Sequence, residues 1–251
     1  MIARFSFGNR ILKADLTRGC DVSLPAVFGP EGCRAWHAPP PQEQPLQYGR
    51  PAAVAQGFPV NSFEFRLAPH SHCTHTEWQA HYLEDRQPLP LKDMPVWMPA
   101  LLISVFPFGD NGAQKWIRRQ DLKALFIEGE SIKAILVRTL PNPPSKGRFN
   151  YSGSHPPAFQ PEALKYLRDQ GIEHLLTDLP SVDPEEDEGL LNAHKIFLAT
   201  KYPSEPLRTI TELIYVPDSY DDGLYLLNLQ LAPIPGDAVP SRPVIFPVVG
   251  F

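Results

Sequence analysis

Alternation of apolar and polar residues marks several β-strands in the chain. Leu227, Leu229 and Leu231 alternate with polar Asn228 and Gln230, the pattern of a strand with one buried face. Four other runs are rich in aliphatic and β-branched residues and are bounded by turn-forming residues. The predicted strands span residues 100–108, 131–140, 173–179, 211–216 and 224–231.

Helical signals are fewer. Residues 160–170 carry apolar positions at helical spacing, with Pro161 at a plausible first helical position and Gly171 placed to end the helix. A second helix is predicted from about residue 119 to residue 127, closed by Gly129. Because each helix is followed by a predicted strand, the order of elements predicts a mixed α/β fold with few helices.

Composition fits a single folded domain over residues 1–251. The chain is 43% hydrophobic and 20% charged, close to the average for globular proteins. Its 30 prolines exceed average usage well over twofold, which predicts short strands, ordered irregular connections and few long helices.

Charge and cysteine content narrow the class of protein. The formal net charge of −5 offers no basic surface for a phosphate backbone, so nucleic acid is not an expected partner. No stretch has the length and apolar character of a membrane span or a signal peptide, so no membrane association is expected. Three widely spaced cysteines fit a reducing compartment better than a disulfide framework, and we expect a cytoplasmic protein.

Candidate chemistry concentrates in residues 69–81, which read Pro-His-Ser-His-Cys-Thr-His-Thr-Glu-Trp-Gln-Ala-His. This segment holds four of the eight histidines together with one carboxylate. Imidazole nitrogen and carboxylate oxygen suit zinc, manganese or iron, and a catalytic site leaves one coordination position open for water. The density of these groups predicts a metal site with ligation by at least two of the histidines.

The spacing suggests which side chains share a face. In extended backbone, His75 and Glu77 point the same way, whereas His70 and His72 form a pair on the opposite face. A bulge or turn near residues 71–73 would bring one of the earlier histidines to the His75 side. The spacing leaves open whether that histidine is His70 or His72.

The same segment resembles the metal-dependent cyclase and kynurenine formamidase family, whose signature is His-x-Gly-Thr-His-x-Asp-x-Pro-x-His. Thr74, His75 and His81 fall in register with this signature, and Glu77 takes the place of its aspartate. The chain departs from the signature at its first histidine, which is Ser71 here. The glycine and the proline of the signature are also replaced, by cysteine and glutamine.

The resemblance extends beyond the motif. Residues 172–198 resemble the second metal-bearing region of the family, where a histidine, here His194, follows an Asp-x-Pro-Ser-Val-Asp stretch. Residues 209–213 resemble the segment that supplies a late glutamate, here Glu212. The acidic run 183–188, within residues 172–198, predicts a solvated loop that leads into the helix carrying His194.

The resemblance implies a swivelling β/β/α domain, assembled as a homodimer or homotetramer, that binds zinc or manganese and acts on a small-molecule substrate. His75 and Glu77 would bind one ion with His70 or His72, and His194 and Glu212 would hold a second. His81 matches the general acid/base, with Glu77 beside it at the reacting centre.

The implied reaction is hydrolysis of a formamide-type amide or of a cyclic amide or ester. In the amides, the bond cleaved would be a C–N bond other than a peptide bond. Trp36 and Trp78 flank the motif region and are candidates for binding an aromatic substrate. A catalytically silent metal- or ligand-binding member is the main alternative. A serine hydrolase at residues 151–155 is a weak alternative because the sequence is not a Gly-x-Ser-x-Gly elbow.

Overall fold

A computed structural model describes residues 1–109, 113–123, 132–200 and 205–249. Within these ranges the chain forms fourteen strands and four short α-helices. In chain order they are β1 (Ile2–Phe7), β2 (Arg10–Asp15), β3 (Cys20–Asp21), β4 (Gln42–Pro45), β5 (Phe63–Arg66), α1 (Pro69–His72), β6 (His75–Glu77), β7 (Trp97–Val105), β8 (Trp116–Ile117), α2 (Arg119–Lys123), β9 (Ala134–Thr139), β10 (Ala158–Phe159), α3 (Pro161–Asp169), β11 (His174–Thr177), α4 (Asn192–Leu198), β12 (Thr209–Glu212), β13 (Gly223–Leu231) and β14 (Ala238–Pro247).

The main sheet closes on itself. Its strand order is β13-β7-β9-β11-β12-β6-β14, and β14 pairs in turn with β13, which makes a seven-stranded barrel. The neighbours β7, β9, β11 and β12 run parallel to one another, whereas β6, β13 and β14 pair antiparallel with their neighbours. Strand β3 pairs antiparallel with β14 at Val244 and Ile245. The predicted mixed sheet with few helices is confirmed.

Apolar residues cover both faces of the parallel strands. On β7, Leu101 and Ile103 pack in one core with Leu164 and Leu167 of α3. Leu102, which lies between the first two, packs in a second core with residues of β9, β11, β13 and β14. Successive side chains of a strand point to opposite faces of the sheet, and here both faces are buried. The parallel strands therefore have continuous apolar runs rather than alternating apolar and polar residues.

Helix α3 agrees closely with the prediction from sequence. It begins at Pro161, which occupies the first helical position, and Gly171 follows its end with a φ of 84°, a backbone conformation that glycine adopts without strain. Helix α2 begins at Arg119 as expected. Its predicted extension to residue 127 and the closing Gly129 lie outside the described residues.

Strand β12 differs from its prediction. It covers Thr209–Glu212 rather than residues 211–216, because Leu213 has a φ of 56° and leaves the extended conformation. The chain therefore turns immediately after Glu212. This turn places the Glu212 carboxylate at the carboxyl edge of the parallel strands, which is the usual location of ligand sites in such sheets.

In the described ranges, no helix combines the length and the apolar character needed to cross a membrane.

Candidate metal centre

Strand β6 contributes two side chains from the histidine-rich segment. Residues His75–Glu77 are extended and fully buried, so His75 and Glu77 lie on one face, with His75 Nε2 3.9 Å from Glu77 Oε2. The strand pairs with β12 so that His75 is opposite Glu212. Glu212 Oε2 lies 3.4 Å from His75 Nε2. The closed sheet therefore brings one histidine and two carboxylates to a common point.

A single helical turn, α1, brings in a second histidine. The turn covers Pro69–His72, with Pro69 at its first position, so the segment is not extended before β6. His70 Nδ1 lies 3.0 Å from Glu77 Oε2. The sequence allowed either a bulge or a turn near residues 71–73 to bring an earlier histidine to the His75 face, and the structure has a turn.

His72 is directed away from this cluster. Its Nδ1 atom accepts a hydrogen bond from the backbone N–H of Ala68 at 2.9 Å, and its Nε2 atom lies 3.0 Å from the backbone oxygen of Pro39. Both ring nitrogens therefore have partners in the surrounding loops. Of the two alternatives that the sequence left open, the structure places His70, and not His72, beside Glu77.

Helix α4 supplies His194. Its Nε2 atom lies 2.6 Å from Glu77 Oε1 and 3.6 Å from Glu212 Oε1. The other ring nitrogen, Nδ1, lies 2.7 Å from Oδ2 of Asp183. The same carboxylate accepts the backbone N–H groups of Ala193 and His194 at the start of α4.

Asp183 corrects the interpretation of the acidic run. The sequence predicted a solvated loop over residues 183–188, whereas Asp183 is buried and Glu186 and Glu188 are exposed. Burial of this carboxylate is stabilised by the N–H groups at the first turn of α4 and by the His194 ring. Only the later part of the run fits the prediction.

His81 completes the group of imidazoles. It ends a 3-10 turn over Gln79–His81, and its ring centroid lies 4.3 Å from that of His70 and 5.3 Å from that of His194. Its side chain is 23% exposed, so it borders the solvent side of the cluster. Burial of the ring lowers the pKa of His81, which favours the neutral imidazole at physiological pH.

Asp237 was not anticipated from the sequence. It lies in the loop before β14, and its Oδ2 atom is 3.1 Å from His70 Nε2 and 3.6 Å from His81 Nδ1. Its Oδ1 atom accepts a hydrogen bond from Arg86 Nη2 at 2.7 Å. No local pattern distinguishes this aspartate from the other loop acids, since only closure of the sheet brings β14 beside α1.

The two tryptophans predicted to bind substrate are both half-buried but differ in position. The indole N–H of Trp36 donates to the backbone oxygen of His70 at 3.2 Å, so this side chain lies against the turn that carries His70. Trp78 follows Glu77 in extended backbone, which directs its side chain to the opposite face of the chain.

Electrostatics link the members of the cluster. Burial of Glu77, the largest single influence, favours its neutral form, but the charges of His194 and His81 and the adjacent imidazoles of His194 and His70 together hold the pKa of Glu77 well below its usual value. Burial opposes a charge on His70 as well, yet the hydrogen bond to Asp237 and the adjacent Glu77 carboxylate raise the pKa of His70 to about 10. Glu77 is therefore an ionised carboxylate, the form that binds a cation.

The cluster meets the requirements of a metal site. His75 Nε2, His194 Nε2, His81 Nδ1 and both carboxylate oxygens of Glu77 are buried and lack a hydrogen-bond partner in the part of the chain that the structure describes. Leaving such atoms unpaired is costly, and convergent lone pairs are what a cation satisfies. Two groups of three side chains have potential ligand atoms within 4.8 Å of one another. One group is His70, Glu77 and His81, and the other is His75, Glu77 and Glu212, so Glu77 belongs to both.

The serine-rich loop does not offer a comparable nucleophile. The Ser154 hydroxyl donates to the backbone oxygen of Tyr151 at 2.7 Å, and the Ser152 hydroxyl accepts the backbone N–H of His37 at 2.9 Å. Both serine hydroxyls bond to backbone groups and serve to fold the loop.

A buried cluster of histidines and carboxylates lies at the edge of a closed mixed sheet, and these groups could hold a metal ion. Comparison with known proteins gives the family. The model of the Cyclase family matches residues 15–184, and the chain belongs to that family. The resemblance carried by residues 69–81 is thereby confirmed at family level.

Individual relatives agree with this assignment. Kynurenine formamidase of Bacillus cereus is 27% identical over 210 residues, which cover 83% of this chain and 90% of the relative. An isatin hydrolase bound to the product analogue thioisatinate has a TM-score of 0.65 at 15% identity, covering 92% of this chain and 93% of the other. A protein described as a potential metal-dependent hydrolase with cyclase activity has a TM-score of 0.61 at 19% identity. The match covers 92% of this chain and 98% of the other. The relatives are hydrolases, and the structural matches establish the fold.

Proposed function

We propose that this protein is a metal-dependent hydrolase that cleaves the C–N bond of a formamide-type amide or cyclic amide, other than a peptide bond, or the C–O bond of a cyclic ester. The observation that carries the proposal is the convergence of buried, unpartnered donor atoms from His75, Glu77 and His194. The names of the relatives, kynurenine formamidase and isatin hydrolase, support the choice of substrate class.

Five side chains would hold the metal, with zinc or manganese as the ions that best fit mixed imidazole and carboxylate ligands. These are His70, His75, Glu77, His194 and Glu212. The two carboxylate oxygens of Glu77 face different neighbours, Oε2 towards His70 and Oε1 towards His194, which suits a bridging role between two ions. When bound, a divalent cation supplies Lewis acidity towards water and towards the scissile carbonyl.

His81 is the proposed general acid and base. Its buried Nδ1 atom faces Asp237, which leaves Nε2 to accept a proton from the attacking water and return it to the leaving nitrogen or oxygen. The lowered pKa of His81, caused by burial, keeps this imidazole neutral and ready to accept a proton. Partial exposure of the side chain gives substrate access to it.

Trp36 is the proposed aromatic contact for the substrate. It lies directly against the turn that carries His70, so a ring held there would be next to the metal ligands. Trp78, on the opposite face of the chain, is not retained in this role.

The test is elemental analysis followed by a substrate screen. Protein purified without chelator should contain about one equivalent or more of zinc or manganese per chain. N-formyl aromatic amines, cyclic imides, lactams and lactones should then be screened with metal-loaded and chelator-stripped protein. Less than about a tenth of an equivalent, with none recovered on soaking, contradicts the proposal.

A catalytically silent metal-binding member is the second candidate. It is favoured by the replacement of the first signature histidine with Ser71. Full metal occupancy without turnover of any compound in the screen supports this candidate against the hydrolase.

A further inference from the structure

We propose that Asp237 positions His70 as a metal ligand by accepting the Nε2 proton, so that the Nδ1 lone pair faces Glu77. This inference rests on the proposed function, because it assigns a positioning residue to the same site. Asp237 lies outside the histidine-rich segment and outside the regions that carry the family resemblance.

The geometry separates the two nitrogens of His70. Nε2 lies 3.1 Å from Asp237 Oδ2, whereas Nδ1 lies 3.0 Å from Glu77 Oε2 on the side of the other candidate ligands. When a cation displaces the Nδ1 proton, the neutral imidazole keeps one proton, and the carboxylate acceptor holds that proton on Nε2, which leaves the lone pair on Nδ1. Histidine ligands in metalloproteins commonly have such an acceptor at the second nitrogen.

His70 needs this support more than the other candidate ligands. His75 lies within a strand paired on both sides, and His194 is held by Asp183 at the start of α4. His70, in contrast, lies on one isolated helical turn and is 25% exposed. An imidazole in that position loses rotamer freedom on binding a metal unless another contact has already fixed it.

Two contacts fix His70 from different sides. Trp36 donates its indole N–H to the backbone oxygen of His70, which holds the main chain of the turn. Asp237 holds the ring, and Arg86 in turn donates to Oδ1 of Asp237 at 2.7 Å, which orients that carboxylate.

The experiment measures zinc affinity by competition with a chromophoric chelator for wild type, Asp237→Ala and Asp237→Asn. Removing the carboxylate should weaken zinc binding by about 10- to 100-fold, the usual effect of losing an outer partner of a histidine ligand. Asp237→Asn should fall between wild type and Asp237→Ala, because its amide oxygen still accepts the Nε2 proton without the charge. Asp169→Asn, an exposed aspartate that pairs with Lys165 on α3, is the matched control and should leave affinity unchanged.

A double-variant cycle separates positioning from a general structural role. In a His70→Ala background, Asp237→Ala should have no further effect on zinc affinity, because no ring remains to be held. Long-range ¹H–¹⁵N NMR of the zinc-loaded wild type should show a protonated Nε2 and an unprotonated Nδ1 at His70. An equal loss of affinity in both backgrounds, or a protonated Nδ1, overturns the inference.

The outcomes also distinguish this inference from the proposed function. If Asp237→Ala binds zinc as tightly as wild type while wild type still hydrolyses a substrate, only the role of Asp237 is refuted. If wild type itself binds no zinc, the proposed function is refuted and the positioning role with it.

Discussion

The Nε2 atom of His194 lies 2.6 Å from Oε1 of Glu77, and both atoms are buried. Glu77 ends β6 and His194 lies in α4, so the contact joins two distant parts of the chain at one point. Asp183 holds the far side of the His194 ring. A fixed imidazole and carboxylate that converge in this way support the proposed metal site.

Two histidines of the segment should differ in function. His75→Ala should abolish metal binding, because His75 is buried and its Nε2 atom faces both Glu77 and Glu212. His81→Ala should retain metal and lose turnover by about a hundredfold to ten-thousandfold, the range expected for general acid/base catalysis. Metal content and steady-state rates of both variants test this division. Loss of metal in His81→Ala as complete as in His75→Ala would make His81 a ligand.

His70 and His72 form a matched pair for mutation. His70→Ala should lower metal affinity strongly, because it removes the imidazole beside Glu77. His72→Ala should leave metal affinity unchanged, since its ring bonds to Ala68 and Pro39 instead. Chelator competition on both variants gives the comparison. The reverse ranking of the two affinities would show that His72 is the ligand.

Buried His174 should make stability depend on pH. Burial lowers the pKa of His174 to about 4 from its usual value of 6.5, so between these two values the unfolded chain binds more protons than the folded one. The free energy of unfolding should therefore fall, by on the order of 3 kcal/mol at most, as the pH drops from 6.5 to 4.

The check is denaturant unfolding of wild type and His174→Gln across this pH range. The variant should show a smaller loss of stability on acidification, because the residue that must take up a proton on unfolding is absent. His155→Gln, at an exposed position, is the control and should keep the wild-type dependence. Equal slopes for His174→Gln and wild type would exclude His174 as the source.

A buried ion pair joins the loop after β9 to the loop after β11. Lys146 Nζ lies 2.6 Å from Oδ2 of Asp178 and also donates to Thr139. Burial raises the pKa of Asp178, although Lys146 opposes this shift. Lys146→Met should destabilise the fold by about 3–5 kcal/mol at neutral pH, because a buried carboxylate loses its counter-charge.

The destabilisation caused by Lys146→Met should shrink as the pH falls, because Asp178 then takes up a proton in the folded variant. The double variant Lys146→Met/Asp178→Asn should recover most of the lost stability, since no uncompensated charge remains. Urea unfolding of wild type and the two variants measures both effects. A double variant no more stable than Lys146→Met would show that Lys146 acts through packing rather than charge.

The sequence alone determined the elements whose pattern is local. The alternation of leucines with Asn228 and Gln230 predicted β13, and Pro161 and Gly171 bounded α3, because strand and helix periodicity is encoded in neighbouring residues. The chemistry of residues 69–81 also indicated a metal site, since this short segment concentrates imidazole and carboxylate groups.

Only the tertiary structure decided which groups meet. A one-turn helix, rather than a continued strand, brings His70 to Glu77 and separates His72 from it. Asp183 is buried despite its acidic neighbours because the start of α4 and His194 supply hydrogen bonds to it. Asp237 reaches His70 because closure of the barrel places β14 beside β6. These contacts join residues far apart in the chain, and local periodicity carries no information about which distant segments a closed sheet brings together.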